Sequence, residues 1–227
     1  AYLPPTGYVH PLLNALNATK SPRAKQALEK WYGEGVGSIA LALSSKLAML
    51  RVTVARLNRS LDSLRADVAS NPRAGKALAE GKALPLTDGG LAYEELVDID
   101  AFVFEFRSAY EILGKFLTAV YGAIEEKPPT QAELLSILER KGVPTTWTTI
   151  LREKRKELFH EKPPWIAYEI DSIAPFIGRE VFTSGPGMGD APLNSSLSLE
   201  HIVDIANGMS QALEVFHSLL LEKIGAL

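Results

Sequence analysis

The chain predicts an all-α, up-and-down bundle of five to six helices, and three observations carry that prediction. Leu43, Leu47, Leu50, Val54, Leu57, Leu61, Leu64 and Val68 recur at alternating steps of four and three. That is the rhythm of a helix burying one seam against other helices. A second seam follows at Leu96, Ile99, Val103, Phe106, Tyr110, Leu113, Leu117, Val120 and Ile124. The two segments also carry opposite charge. Residues 36–87 hold eight basic and three acidic side chains, a net +5, whereas 88–140 hold four basic and eleven acidic, a net −7. Two long helices, 38–69 and 92–126, are therefore expected to pack antiparallel across the 70–91 connection and to neutralise each other.

The remaining elements follow from their punctuation. Residues 1–35 read as an N-terminal arm and a short helix, with Ser21 as N-cap, Pro22 as first helical residue and an end near Gly33. Ser38 is placed as the N-cap of the first long helix, and Asn71-Pro72 stops it. The second long helix ends before Pro128-Pro129. Thr130-Gln131-Ala132-Glu133 is a capping box for a helix that stops at Gly142. A further helix runs from Thr146 to His160, where Pro163-Pro164 forbids continuation. Trp165 to Ile170 alternates weakly and predicts a small extended segment near 165–182. Thr183 to Ser196 is rich in Gly, Pro and Ser and reads as a flexible loop. Ser198 caps a C-terminal helix whose seam is Leu199, Ile202, Ala206, Met209, Leu213, Phe216 and Leu220. With no repeat or linker, residues 1–227 read as a single helical-bundle domain.

Composition removes whole classes of chemistry. The 227 residues are 46% hydrophobic and 22% charged, ordinary for a globular protein. The absence of cysteine excludes disulfides, thiolate nucleophiles and Cys-ligated zinc or iron–sulfur centres. No apolar run is read as a membrane span, and Ala1-Tyr2-Leu3-Pro4-Pro5 lacks the basic and apolar regions of a secretory signal. A cytoplasmic protein with no membrane association is expected. The net charge of −3 argues against a dedicated duplex binder, so nucleic-acid contact would be confined to local basic surface.

Three segments carry candidate chemistry. Gly185-Pro186-Gly187-Met188-Gly189-Asp190 looks like a phosphate loop but lacks the Gly-Lys-Ser/Thr ending, and it reads as a flexible loop. Glu157 with His160 and Glu214 with His217 form two Glu-x-x-His pairs, which in a four-helix bundle can hold two metal ions. The first long helix offers no Glu to complete such a site, so the ferritin-like di-metal protein stands as an alternative, and no metal or cofactor is expected. In the third segment, Leu151 to Lys162, core positions Trp147, Ile150, Leu151 and Leu158 define one stripe. Arg152, Lys156 and His160 stack on another face, with Phe159 beside them and Arg155 on the flank. An aromatic among cations suits RNA stacking or a partner interface.

Arg155 and His160, an Arg-x4-His spacing near the end of a late helix in an all-α bundle, resemble the signature of the HEPN superfamily. That resemblance implies a homodimer in which paired motifs form a cleft. It implies RNA cleavage without metal, His160 working in acid–base chemistry on the 2′-hydroxyl and Arg155 steadying the phosphate; the helix-face reading adds Arg152, Lys156 and Phe159 as the expected RNA contacts. Members often carry Asn or Asp directly after the Arg, whereas this chain has Lys156. A non-catalytic helical scaffold of a toxin–antitoxin or defence complex is the structural alternative.

Overall fold

The leucine seams do what their spacing predicts: they bury one face of long helices. In a computed structural model the described residues are 7–33, 35–70, 72, 90–159, 165–168, 175–178 and 197–227. Among them the fold is an all-α helical bundle of seven helices: α1 His10–Ala18, α2 Pro22–Gly33, α3 Val36–Ser70, α4 Gly90–Ala123, α5 Gln131–Arg140, α6 Thr146–Phe159 and α7 Leu199–Gly225. Three short strands, β1 Trp165–Tyr168, β2 Pro175–Gly178 and β3 Leu197–Ser198, pair antiparallel in the order β1-β2-β3. The extended segment expected near 165–182 is thus a pair of strands, Ile166 opposite Ile177. The Thr183–Ser196 loop lies outside the described residues.

The contacts gather into two compact units. The first comprises Ala1–Arg51, Glu105–Trp147 and Ala206–Leu227, the second Val52–Phe104 and Thr148–Ile205. In the first unit Leu43, Leu47 and Leu50 of α3, Phe106, Leu113 and Phe116 of α4, and Met209, Leu213 and Leu220 of α7 are all buried. Trp31 of α2 meets the Phe116 ring edge-on at 6.0 Å between centroids, the arrangement that aromatic quadrupoles favour. Trp147 sits edge-on to Tyr110 at 5.2 Å. Gly208 of α7 makes room for it, since a Cβ there would lie 2.1 Å from Trp147 Cδ1. In the second unit Leu57 and Leu61 of α3, Ile99, Phe102 and Val103 of α4, Leu151 of α6 and Ile202 and Ile205 of α7 are buried.

The opposite charges of α3 and α4 meet as their blocks predict. Lys46 pairs with Glu105 at 2.7 Å in the first unit, and Arg56 with Asp98 at 2.6 Å in the second. Residue numbers rise on one helix as they fall on the other, so the helices run antiparallel. The capping box is formed: the Thr130 backbone N–H donates to Glu133, and the Glu133 N–H donates to Thr130 Oγ1. Ser21 accepts from the Ala24 N–H, and Ser198 from the His201 N–H while its own N–H donates to His201 Nδ1.

Two boundaries and the reading of the N-terminal arm need correction. Ser38 is not a cap: α3 begins at Val36 after Gly35, whose φ of +80° suits glycine, and the Ser38 hydroxyl donates back to the Gly35 carbonyl. The arm holds a further helix, α1, with Pro11 in its first turn and Leu12 and Leu16 buried one turn apart. α4 ends at Ala123 rather than 126, because Glu125 adopts φ 59° and the Glu126 N–H turns back to the Tyr121 carbonyl. Gln26 and Lys30 hold the Glu125 carboxylate in that turn. α6 is described from Thr146 to Phe159, and the expected end at His160 lies outside the described residues. Finally, the Val36–Ser63 stretch of α3 is, by length and composition, long and apolar enough to cross a membrane, with 22% of its apolar window buried. Leu41, Met49 and Val52 explain this, being apolar and exposed in addition to the buried seam.

Candidate functional site

α6 gives the candidate motif its frame. Within the second unit Leu151 is fully buried and fixes the inward side of the helix. Arg152, the next position, stands 65% exposed and lies 3.5 Å from the Glu153 carboxylate. A 3.6-residue repeat sets positions 152, 156 and 159 roughly 80–140° round from Leu151, away from the buried side, with position 155 about 40° from it on the flank. Arg155, Lys156 and Phe159 belong to α6, but their side chains, like His160 itself, fall outside the described residues. So does the Gly185–Asp190 loop.

The two Glu-x-x-His pairs fare differently from each other. Glu157 and His160 lie outside the described side chains. Glu214 is exposed, whereas His217 turns inward against Tyr8, ring centroids 5.0 Å apart. The two side chains of this pair therefore diverge. Burial pushes the His217 pKa down, partly offset by a hydrogen bond with the Tyr8 backbone. Burial also raises the Tyr8 phenol well above its ordinary value. Among the described residues no three His, Asp or Glu side chains come together as a metal site.

The structure also assembles a polar cluster that the sequence reading missed. Asp98 of α4 is 5% exposed. It accepts from Arg56 at 2.6 Å and from Ser60 at 2.5 Å, two α3 side chains one turn apart. With Arg59, Ser63 and Glu94 these groups line a cavity of about 280 Å³. The Asp98 carboxylate holds Arg56 in place, while Arg59 is exposed and makes no ion pair among the described residues. Such a site can present guanidinium and hydroxyl donors to an anion. The available signal was the spacing: Asp98 stands one position before seam residue Ile99, and Arg56 and Ser60 stand at i and i+4 on the opposing helix.

No family model, curated protein or solved structure matches the chain.

Proposed function

We propose that the chain is a HEPN-like RNA-binding protein that works as a homodimer. In this reading the α6 face of Arg152, Lys156 and Phe159 seats single-stranded RNA, and Arg155 and His160 cut it without metal. The observation that carries the proposal is the placement of α6. One side of the helix is anchored by buried Leu151 while the adjacent Arg152 is open to solvent, and the helical repeat puts positions 156 and 159 on the Arg152 side. Exposed Arg59 on α3, which makes no ion pair among the described residues, adds a further guanidinium to the same unit. A guanidinium fork fits phosphate oxygens, and imidazole titrates near neutrality, which suits proton transfer to and from a 2′-hydroxyl.

The non-catalytic scaffold reading draws on a different observation. Tyr93, Val97 and Phe104 of α4 are 72%, 60% and 47% exposed and fall on one helical stripe, as a protein-binding face requires.

One assay separates the readings. Wild type, His160→Ala and Arg155→Ala are incubated with structured RNAs in EDTA, and products are examined for 2′,3′-cyclic phosphate ends. The expected result is cleavage by wild type alone, with each variant slowed roughly 10²–10⁴-fold. In parallel, Arg152→Ala is expected to weaken RNA binding and flatten its salt dependence. Sedimentation should give a dimer. Absence of binding and of cleavage by wild type overturns the RNA reading. In that case, loss of self-association in Tyr93→Ser/Val97→Ser would support the scaffold.

A further inference from the structure

A second cavity, of about 340 Å³, lies wholly within the first unit, at the lower end of the range for small-molecule sites. Its floor is apolar, formed by Leu113 and Leu117 of α4, Leu134 of α5 and Phe216 of α7. Gly114 opens that floor, because a Cβ placed there would meet nothing within 4 Å. The α5 wall is preformed. The Thr130–Glu133 capping box fixes its start, fully buried Leu138 pins its far end, and Gly142 at φ +75° closes it.

The rim is polar and biased toward positive charge. Arg107 is neutralised by Glu111 at 2.7 Å. Lys115 is exposed and has no carboxylate within ion-pair distance among the described residues. Tyr110 adds a phenol that shares a hydrogen bond with Gln131, and burial raises its pKa, so it stays protonated. An apolar floor beneath one unmatched ammonium and one phenol defines the complementary ligand: a short hydrocarbon or aromatic body ending in a single negative charge.

We propose that this cleft between α4 and α5 is a binding site for a small amphipathic carboxylate, its chain over Gly114 and its carboxylate on Lys115. The site is independent of the α6 face and of any RNA activity. Burying the chain supplies the affinity, and the charge supplies the preference for acid over alcohol.

Isothermal titration of the full chain with octanoate, and with 1-octanol as the neutral control, tests this directly. Saturable one-to-one binding of octanoate is expected, with octanol at least about tenfold weaker. Lys115→Gln should weaken octanoate about tenfold and leave octanol unchanged. Gly114→Leu should abolish binding of both, and because Leu favours a helix over Gly, its melting temperature should not fall. Should that variant melt early, Gly114→Ala replaces it, with weakened binding expected. Three results would overturn the proposal: no saturable octanoate binding, equal affinity for octanol, or unchanged octanoate affinity in a folded Gly114 or Lys115 variant.

Discussion

α4 contributes to both units and buries different chemistry in each. In the first unit its stretch from Glu105 buries Phe106, Phe116 and Val120 with the Trp31 and Trp147 rings nearby, and its ion pair with α3, Lys46–Glu105, is largely shielded rather than deep. In the second unit the stretch up to Phe104 buries Glu95 and Asp98 beside Ile99 and Phe102. An apolar core answers to volume: it tolerates substitutions that conserve shape and fails when atoms are added or removed. A buried carboxylate answers to partners, and its contribution changes sign if they are lost. Close-packed aromatic cores hold shape, whereas a carboxylate fixed among guanidinium and hydroxyl groups can also meet a ligand. The second unit, which also carries α6, is accordingly the one in which the RNA reading is placed.

The contrast is sharpest at Gly208. Adding one carbon 2.1 Å from Trp147 Cδ1 leaves no room for relaxation short of moving the indole, so Gly208→Ala should destabilise by about 3 kcal/mol. Urea denaturation measures this, and in a Trp147→Leu background the same substitution should cost almost nothing. A silent Gly208→Ala would break the view of the first unit as shape-limited. Next in size is Asp98→Ala in the second unit, expected to cost about 2 kcal/mol by removing the acceptor of both Arg56 and Ser60. Arg56 is half exposed and can return to water, which keeps the loss moderate. Ser60→Ala should cost about 1 kcal/mol in the same denaturation assay, and a double-mutant cycle should show the two to be non-additive.

Similar in size to Ser60→Ala, Thr130→Ala should cost about 1 kcal/mol in the same denaturation assay by opening the α5 capping box. The smallest effect is a pH slope in the first unit. Burial lowers the His217 pKa in the folded state, so as pH falls the unfolded chain takes up the proton first. The contribution of neutral His217 is therefore complete above the ordinary histidine value of about 6.5 and is lost as pH falls below it. Denaturation midpoints of wild type and His217→Gln should converge between pH 7.5 and 5, and parallel curves would remove His217 from the account.

Much of the fold was legible because helices announce themselves locally. The a/d seams, Ser21-Pro22, the Thr130–Glu133 box and the cap at Ser198 each encode structure within a few residues. The charge blocks correctly paired α3 with α4, since opposite charge on adjacent helices has few other partners. The start of α3 was misread because Ser38 is a good cap residue in isolation, whereas Gly35 supplies the left-handed turn that begins the helix two residues earlier. α1 was overlooked because nine residues with no side-chain cap hold a helix only through the tertiary burial of Leu12 and Leu16. In the candidate site, sequence spacing alone was enough to put Arg152, Arg155, Lys156 and Phe159 on one helix and to turn Arg152 outward.

The amino-acid order by itself thus determined six of the seven helices among the described residues, the seam along each long one and the antiparallel pairing of the two longest, because each depends on periodicity, caps and net charge within short windows. Tertiary structure alone decided which off-seam groups became interior. It set Gly208 under an indole, placed Asp98 between Arg56 and Ser60, turned His217 onto Tyr8, and left an apolar floor open over Gly114. Each of these depends on side chains distant in sequence arriving at the same few ångströms, where excluded volume and the desolvation of polar groups act, and no local pattern encodes that meeting.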